Sequence, residues 1–331
     1  MTPQPLRLGT RASALATSQS GWVADRLRAA GHQVELVRVT TEGDTSRRSL
    51  TEIGGTGVFA SALRDALLEG RIDLAVHSLK DLPTAPCPGL TVAAVPERED
   101  PRDVLVARDG LTLTQLPAGA VIGTGSPRRA AQLALARPDL QVRDIRGNVD
   151  SRIRMVRDGT LDAVVLARAG LARLDRLAEA TEVLDTALMV PAAGQGALAI
   201  ECRETDRELV DLLASVLEHE DTRTAVTGER AALSALEAGC TAPVGVLGSL
   251  EPSTAAGAGI PASPPTLTLH AFAALQTGPQ RHVATGGSAA PAELGRSLAE
   301  HLLNRPDPTG AAAAQRSASP DVGSHTPESD L

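Results

Sequence analysis

Short apolar segments alternate with longer amphipathic ones along the first part of the chain. A strand pattern at 6–10 is followed by a helical pattern at 13–30 and a second strand pattern at 33–41. The same succession returns with a helical pattern at 58–69 and a strand pattern at 72–79. Strands separated by helical segments are typical of βαβ units. The pattern therefore predicts an α/β domain with a mainly parallel sheet.

Two segments rich in proline, glycine or charge interrupt this alternation. They are PEREDPRD at 96–103 and MVPAAGQG at 189–196, and a second α/β series fills the residues between them. A strand pattern at 197–202 and a helical pattern at 206–217 follow the second break. This order predicts one domain inserted into another and joined to it by two crossing segments. Such an arrangement opens and closes by a hinge around a cleft.

The last third of the chain predicts a small α/β module. Its patterns are a helix at 223–238, strands at 244–250 and 267–275, and a helix at 291–304. The low-complexity stretch 251–265 is interpreted as a flexible loop, and 306–331, rich in Ala, Ser, Pro and Gly, as a disordered tail. We expect neither of these last two segments to be needed for function.

Composition excludes several classes of protein. The 331 residues include 32 basic and 40 acidic ones, a net charge of −8, and only three aromatic rings, Trp22, Phe59 and Phe272. A surface that stacks nucleic-acid bases needs more rings, and duplex binders usually carry a positive domain. No apolar run approaches the ~20 residues of a membrane span. We therefore expect no nucleic-acid partner, no membrane partner and a cytoplasmic location.

The three cysteines, Cys87, Cys202 and Cys240, show no CxxC spacing, and the histidines show no metal-binding spacing. Neither a disulfide framework nor a metal site is expected. Cys202 lies in a strand pattern and is interpreted as a buried filler. Cys240 follows a helix that ends at glycine, in a loop that would expose its thiol. It is a candidate nucleophile or covalent anchor, with an unreactive cysteine as the alternative.

Although the chain is negatively charged overall, one segment of it carries a net positive charge. Between Ser126 and Arg157 there are eight arginines and three aspartates, a local net charge of +5. GTGSPRR at 123–129 leaves a strand and begins a helix, with Ser126 placed to cap it. Free backbone N–H groups and arginines then face the same point, which favours an anion. The competing interpretation is that these arginines are solvated surface charges.

The strand pattern at 72–79 runs into His77-Ser78-Leu79-Lys80-Asp81-Leu82-Pro83. Open α/β sheets place functional groups just past the carboxyl ends of strands, which makes Asp81 the candidate acid or base. Lys80 is placed to hold that carboxylate ionised or to bind an anion. The alternative is a turn aspartate beside a solvated lysine. His77 is interpreted as a packed strand residue.

In order along the chain, these segments resemble the porphobilinogen deaminase family. The resemblance runs from about residue 6 to residue 250 through LGTRASALA, VHSLKDLP, EREDPRD, GTGSPRRAAQL, RGNVDSR, PAAGQGALAIECR and LEAGCTAPVG. It implies a transferase of haem and porphyrin biosynthesis that condenses four porphobilinogen molecules head to tail with loss of ammonia. Hydrolysis then releases hydroxymethylbilane. The implied cofactor is dipyrromethane, bound by a thioether to Cys240.

The resemblance also implies a fold and a set of site residues. The fold is α/β with three domains: two periplasmic-binding-protein-like doubly wound domains around a cleft and a small C-terminal α/β domain. The expected boundaries are 1–98 with 195–218 for domain 1, 99–194 for domain 2 and 219–305 for the C-terminal domain. Asp81 is the implied catalytic residue. The implied cofactor-binding residues are Cys240, Lys80, Ser126, Arg128, Arg129, Arg146 and Arg152, and the implied substrate-binding residues are Arg11, Ser13, Arg173, Phe59 and Gln195.

The implied partners are porphobilinogen and the growing polypyrrole chain, and the implied state is a monomer without metal. Clustered arginines suit that ligand, because each porphobilinogen carries an acetate and a propionate. Glu52 and Thr56 depart from the family by standing where lysines are expected. Two alternatives share some of these features: a two-domain solute-binding module, and a phosphate-ester transferase using the turn at 124–129. Both leave Cys240 unexplained.

Overall fold

The computed structural model describes residues 4–39, 58–237, 242–251, 265–276 and 278–304, with only the backbone for Val58 and Phe59. Within these residues the strands are β1 Leu6–Thr10, β2 Val34–Arg38, β3 Leu74–Ser78, β4 Leu90–Ala94, β5 Asp103–Ala107, β6 Val121–Gly123, β7 Gln141–Arg143, β8 Ala163–Ala167, β9 Glu182–Val183, β10 Leu198–Arg203, β11 Val244–Glu251, β12 Thr266–Leu275 and β13 Gly278–Gly287. The helices are α1 Ala14–Ala29, α2 Val58–Leu68, α3 Pro127–Ala136, α4 Val149–Arg157, α5 Arg168–Arg173, α6 Arg207–Leu217, α7 Glu220–Ala235 and α8 Pro291–Leu303.

Domain 1 is built on a five-stranded sheet with the order β2-β1-β3-β10-β4. Successive side chains of a strand point to opposite faces. Leu74 and Val76 of β3 accordingly pack in one apolar cluster with residues of α1 and α6, whereas Ala75 packs with α2 on the other face. Since helices cover both faces, the strands are apolar on both sides, which is why the sequence shows continuous apolar segments here.

Domain 2 repeats this plan on a sheet with the order β7-β6-β8-β5-β9. In β5, Leu105 packs in a cluster with Leu133 of α3, and Val104 packs on the opposite face with Ile153 of α4. The predicted fold class of two doubly wound α/β domains with a smaller third one is confirmed.

The sheets are mainly parallel, as predicted, but each contains one strand that runs against the other four. In domain 1, β1 pairs in parallel with β2 and β3, but β10 is antiparallel to β3 and β4. Domain 2 likewise has two parallel and two antiparallel pairings. The cause lies in the crossings: β5 and β10 each begin at the edge where the chain arrives from the other domain. Because the parallel strands end at that edge, an arriving strand has to run in the opposite direction.

The C-terminal domain is a three-stranded antiparallel sheet in the order β11-β12-β13, packed against α7 and α8. Strand β13 was not predicted. It alternates between half-buried and exposed positions, and its one large apolar side chain, Val283, is 51% exposed. The inward positions are glycine, glutamine, histidine and alanine, so the apolar alternation that marks a strand is missing. No helix in the described part of the chain is long and apolar enough to cross a membrane.

The two predicted breaks lie where the chain passes between domains 1 and 2. The segments run side by side, and the backbone N–H of Glu99 donates to the carbonyl of Gly196 at 3.3 Å. Gly196 has a φ of +88°, and a Cβ there would lie 2.3 Å from the carbonyl oxygen of Glu99. Only glycine satisfies both constraints, so this residue allows the two crossings to touch.

A buried carboxylate ties the C-terminal domain to both crossings. Glu229 of α7 is 0% exposed and pairs with Arg98 of the first crossing at 2.6 Å. The same carboxylate accepts the backbone N–H of Gly194 in the second crossing at 2.6 Å and that of Gly248 in β11 at 2.7 Å. The three domains therefore meet at one fully hydrogen-bonded ion pair.

Candidate active site

The candidate acid Asp81 lies just beyond the carboxyl end of β3. The strand leads into a 3₁₀ turn, Leu79–Asp81, whose first backbone N–H donates to the carbonyl of Ala197 at 3.0 Å. That bond sets the turn against the second crossing. Asp81 is exposed at the end of the turn, whereas Leu79 is buried. The backbone thus presents a carboxylate at the edge of the sheet that faces domain 2, as predicted.

A small cavity of about 30 Å³ adjoins this turn, and Arg11, Gln19, His77, Ser78 and Asp81 are among the residues that line it. Gln19 of α1 donates from Nε2 to Ser78 Oγ at 2.9 Å, which orients both polar groups. The structure therefore brings the predicted residues Arg11 and Asp81 to one place. Gln19 was not singled out by the sequence, because a glutamine within a helical pattern resembles any surface residue.

His77 and Glu201 form a buried polar pair beneath this cavity. Nε2 of His77 lies 3.1 Å from Oε2 of Glu201, and Arg64 of α2 binds the same carboxylate at 2.9 Å. Burial raises the pKa of Glu201, but His77 and Arg64 outweigh it and hold that pKa below its usual value. His77 is thus a packed strand histidine, as predicted, with a carboxylate partner.

The turn before α3 has the predicted capping geometry. Ser126 is the N-cap residue, and its Oγ accepts the backbone N–H of Arg129 at 3.5 Å, with Pro127 in the first turn. Arg128 and Arg129 are 3% and 6% exposed, so they are not the solvated surface charges of the competing interpretation. They point inward, and their main partner is a carboxylate of the protein itself.

That carboxylate is Asp103, the first residue of β5, which is 0% exposed. Arg128 binds its Oδ2 at 2.9 Å, Arg129 binds its Oδ1 at 2.7 Å, and Gln195 donates to Oδ1 at 2.8 Å. Burial raises the pKa of Asp103, but the two guanidiniums outweigh burial and bring the pKa well below its usual range. Gln195, 1% exposed, lies in this buried network rather than along an open cleft wall.

Asp103 is the main site residue that sequence reasoning missed. It stands at the end of the charged segment PEREDPRD, where it resembles the five other acidic and basic residues before it. The available signal was its position as the first residue of the apolar strand DVLVA. A carboxylate in a strand buried at every position requires cationic partners.

Lys80 links the two halves of the site. It is half-buried beside Asp81, and burial lowers the pKa of its ammonium while the charge of Asp81 opposes that shift. The charges of Arg128, Arg129 and Asp103 also act on this pKa. Since those residues belong to domain 2, the turn that carries Asp81 and the start of α3 face each other across the two crossings.

Arg146 and Arg152 extend the positive region beyond α3. Burial lowers the pKa of Arg152 to about 10, and repulsion from Arg129 and Arg146 adds to the effect. The Nε of Arg152 is buried and has no hydrogen-bond partner among the described residues. Arg146 is exposed, with Asp144 at 3.6 Å. Three cations that repel one another and a buried donor without a partner are together suited to an anion from outside the protein.

Arg173 and Ser13 occupy the domain boundary nearer α1. Arg173 of α5 donates from Nη2 to the carbonyl of Gly196 at 2.6 Å, and burial lowers its pKa to about 10, with Glu99 opposing. The backbone carbonyl of Arg173 accepts the Ser18 hydroxyl of α1 at 2.5 Å. Ser13 caps α1 by accepting the backbone N–H of Ala16 at 3.2 Å. Both residues therefore have structural contacts in addition to their predicted binding roles.

Several predicted residues lie outside the described part of the chain. They are Cys240, Glu52, Thr56, the tail 306–331, all of the 251–265 stretch except Glu251 and Pro265, and the side chain of Phe59. The described chain ends before the cysteine at Glu237 and resumes at Ala242. The attachment of the cofactor to Cys240 therefore stays a prediction.

The described residues fit a cofactor that carries several carboxylates. In the described part of the chain, Arg152 supplies a buried donor without a partner and Arg146 is a cation near it, while Lys80 supplies a further cation close to Arg129. By contrast, the described residues contain no group of three or more His, Cys, Asp or Glu side chains that could hold a metal ion. The donor set is thus suited to carboxylates.

Taken together, the fold and the site define a two-lobed α/β protein with a cationic region suited to carboxylates where its lobes meet, next to an exposed acid. Residues 6–211 match the family model "Porphobilinogen deaminase, dipyromethane cofactor binding domain", and residues 223–304 match "Porphobilinogen deaminase, C-terminal domain". The chain belongs to the porphobilinogen deaminase family. The predicted family, the transferase class and the dipyrromethane cofactor are therefore confirmed, and the two alternatives are set aside.

Curated relatives cover most of the chain. Porphobilinogen deaminase 1 of Streptomyces coelicolor is 60% identical over 255 residues, which is 76% of this chain and 80% of that protein. Porphobilinogen deaminase of Nocardia farcinica is 53% identical over 304 residues, 91% of this chain and 86% of that protein. Among solved structures, the methionine binding protein MetQ has a TM-score of 0.42 at 12% identity and covers 64% of this chain and 89% of its own.

Proposed function

We propose that this chain acts as a hydroxymethylbilane synthase, with the reaction centred on Asp81 in the space between domains 1 and 2. The single observation that carries the proposal is that the Lys80–Asp81 turn lies close to the cationic start of α3. The charges of Asp81, Arg128 and Arg129 all act on the ammonium of Lys80. An exposed carboxylate faces a positive region there, and the substrate requires both. Porphobilinogen is a pyrrole with two carboxylates and an aminomethyl group.

Asp81 is the proposed catalytic residue. In each cycle the aminomethyl C–N bond of porphobilinogen breaks, ammonia leaves, and a C–C bond forms to the preceding pyrrole ring, which loses a ring proton. Positive charge develops on the substrate ring nitrogen as ammonia leaves. A carboxylate beside that N–H stabilises the charge. The exposed position of Asp81 at the end of the turn leaves its oxygens available for this contact.

The cations of the site are proposed to hold carboxylates. Dipyrromethane, when bound, supplies the ring that is extended and remains attached to the protein through Cys240. Arg146, Arg152 and Lys80 hold its acetate and propionate groups, and the Ser126 turn orients α3 toward them. Arg128 and Arg129 maintain the positive region while bound to Asp103. Arg11, Ser13, Arg173, Phe59 and Gln195 are assigned to the substrate side.

The proposal includes the organisation of the whole chain. The boundaries are 1–98 with 195–218, 99–194 and 219–305, supported by the positions of the two crossings and the three sheets. The protein is proposed to work as a cytoplasmic monomer without metal. Its partners are porphobilinogen and the growing polypyrrole, which is released by hydrolysis as hydroxymethylbilane.

Intact mass spectrometry of the denatured protein tests the covalent cofactor. Protein from a host that makes porphobilinogen should carry an added mass of two linked pyrrole units. The variant Cys240→Ser should lack it, whereas Cys87→Ser, the matched control, should keep it. An unmodified wild-type chain would contradict the proposal.

The role of Asp81 is tested by Asp81→Asn, which removes the charge and keeps the shape. We expect the variant to keep its fold and cofactor and to lose nearly all turnover, because an amide does not stabilise the developing cation. Asp211→Asn, at an exposed position of α6, is the control and should retain normal rates. Near-normal turnover in Asp81→Asn would remove this residue from its role.

A further inference from the structure

Arg230 of α7 reaches from the C-terminal domain to the turn that carries Asp81. Its Nη1 donates to the carbonyl of Leu82 at 2.9 Å and to that of Leu79 at 3.3 Å, and its Nη2 donates to the carbonyl of Pro83 at 2.6 Å. These three acceptors bracket Asp81 along the chain. Arg230 therefore grips the backbone on both sides of the proposed catalytic residue without being part of the carboxylate-binding region.

The turn is also held by backbone hydrogen bonds, and its Leu79 N–H donates to the carbonyl of Ala197 at 3.0 Å. At the end of the turn, the Leu82 N–H donates to the carbonyl of Leu79 at 3.2 Å. Pro83 has no N–H to donate. A guanidinium is planar and presents its donors in a rigid fork, so one arginine can fix several carbonyls at once, which an ammonium cannot do.

We propose that Arg230 is a positioning residue for Asp81: it sets the backbone of residues 79–83 so that the carboxylate meets the substrate ring. This inference rests on the proposed role of Asp81. Misplacing a catalytic group by about 1 Å costs roughly a hundredfold in rate, so a contact to the backbone is sufficient to matter. Arg230 acts on the chemical step and not on carboxylate binding.

Glu229, the residue before Arg230 in α7, also connects the C-terminal domain to the rest of the protein. Glu229 binds Arg98 and the backbone of Gly194, which belong to the two crossings. Two consecutive residues of one helix thus hold the crossings and the Asp81 turn. The C-terminal domain, which also contains Cys240, therefore holds the Asp81 turn in position.

The main test is Arg230→Ala in the holoenzyme. We expect kcat to fall roughly tenfold to a hundredfold, KM for porphobilinogen to stay within about threefold, and intact mass to show full cofactor loading. Arg223→Ala is the matched control. Arg223 lies on the same helix and also binds domain 1, through Glu218 at 2.5 Å and the carbonyl of Val92 at 3.3 Å, but not the Asp81 turn. It should leave kcat within about twofold.

Chemical rescue separates positioning from general destabilisation. A cavity of about 300 Å³ is lined by Arg230, Thr84, Ser234 and Arg296, so a small cation can reach the position of the missing side chain. Guanidinium at millimolar concentration should restore part of kcat in Arg230→Ala and have no such effect on wild type. Should Arg230→Ala not fold, Arg230→Lys is used, with an intermediate loss of kcat expected.

A double variant shows whether Arg230 acts through Asp81. Adding Arg230→Ala to Asp81→Asn should cause little further loss, because the group being positioned is already absent. Wild-type kcat in Arg230→Ala, or multiplicative losses in the double variant, would overturn the inference and leave the proposed function standing. Wild-type turnover in Asp81→Asn would instead refute the proposed function at that residue.

Discussion

At the scale of single residues, Asp103 decides where the predicted anion-binding arginines point. The sequence places Arg128 and Arg129 at the start of a helix, and the structure confirms that location. What it adds is a buried carboxylate that occupies both guanidiniums. A cation pair as deeply buried as this one requires a counter-charge. The positive region therefore has an internal anion at its base, and Arg152, whose buried Nε has no partner among the described residues, is its best-placed group for an external anion.

We predict that Asp103→Asn destabilises the fold by about 3–5 kcal/mol at pH 7, because two buried guanidiniums lose their counter-charge. Urea unfolding measures this loss. The folded-state pKa of Asp103 is depressed, so its stabilising contribution is complete above the unfolded value of about 3.9 and is lost as pH falls below it toward the folded value. The gap between wild type and variant should therefore narrow at pH 3.

Asp109→Asn is the control for this measurement. Asp109 also belongs to domain 2 and also pairs with an arginine, Arg108 at 3.1 Å, but its side chain is 70% exposed. An exposed pair contributes little, so we expect a change within about 0.5 kcal/mol. Equal effects of the two substitutions would show that the burial of Asp103 has no energetic consequence.

We predict that the buried charge of Arg152 lowers the free energy of unfolding when no ligand is bound. Burial and the neighbouring Arg129 and Arg146 lower its pKa to about 10, which means that the folded protein disfavours this charge. We expect Arg152→Leu to leave unfolding free energy unchanged or to raise it, while cofactor loading and chain elongation fall at least tenfold. Intact mass and rates of tetrapyrrole formation provide the two readouts.

Arg154→Leu is the matched control, because Arg154 lies two residues further along α4 and is exposed. It should load cofactor and turn over normally. If both variants behave alike, the positive region does not depend on the buried arginine, and the surface-charge interpretation gains support for this helix.

At the scale of elements, the contact between α7 and α8 depends on two glycines. A Cβ at Gly295 of α8 would lie 2.2 Å from the carbonyl oxygen of Gly228 in α7 and 2.9 Å from the Cβ of Ala231. The helices are that close because neither glycine has a side chain at the crossing. The same helix α7 bears Glu229 and Arg230, so its distance from α8 influences how it meets domain 1.

Gly295→Ala should therefore destabilise the protein by about 1–3 kcal/mol, even though alanine is the better helix former. Thermal unfolding of the C-terminal domain is the measurement. Gly21→Ala provides the comparison: Gly21 also lies in a helix, α1, but nothing lies within 4 Å of a Cβ there. That change should stabilise by about 0.5–1 kcal/mol. A stabilising Gly295→Ala would contradict the close packing.

Some helices and strands were predicted from the sequence pattern, and others were not. Strands covered on both faces and helices with one apolar face were predicted close to their observed bounds. Strand β13 was missed because its inward side chains are small or polar, and its pairing with β12 depends on a hydrogen-bonded neighbour rather than on apolar alternation. The direction of β5 and β10 was missed because it depends on the path between domains.

At the scale of the whole molecule, the proposed site draws on elements of all three proposed domains. Domain 1 supplies the Asp81 turn, domain 2 supplies α3 and α4, and α7 of the C-terminal domain holds both the crossings and the turn. Binding sites between domains are common, because a cleft can enclose a ligand more fully than a surface can.

Removal of residues 305–331 should leave turnover unchanged, since the tail has a composition that does not build a core and lies beyond α8. The measurement is kcat/KM of a chain that ends at Asn304, compared with the full-length protein. A folded, cofactor-loaded truncated protein without activity would show that the tail takes part in catalysis.

The sequence by itself determined the α/β class, the two crossings, the Ser126 cap and the position of Asp81 after a strand. All of these depend on residues close together in the chain, where periodicity and turn chemistry act directly. Motif order over about 245 residues also identified the family and its cofactor.

Only the tertiary structure decided which distant groups meet. Asp103 and Arg128 are 25 residues apart, and Arg230 and Leu82 are 148 apart. No local pattern records such pairs, because each charged side chain has many possible partners until burial leaves one within hydrogen-bonding distance. The fold therefore pairs Asp103 with two arginines, leaves the buried Nε of Arg152 without a partner among the described residues, and brings Arg230 to the backbone of the Asp81 turn.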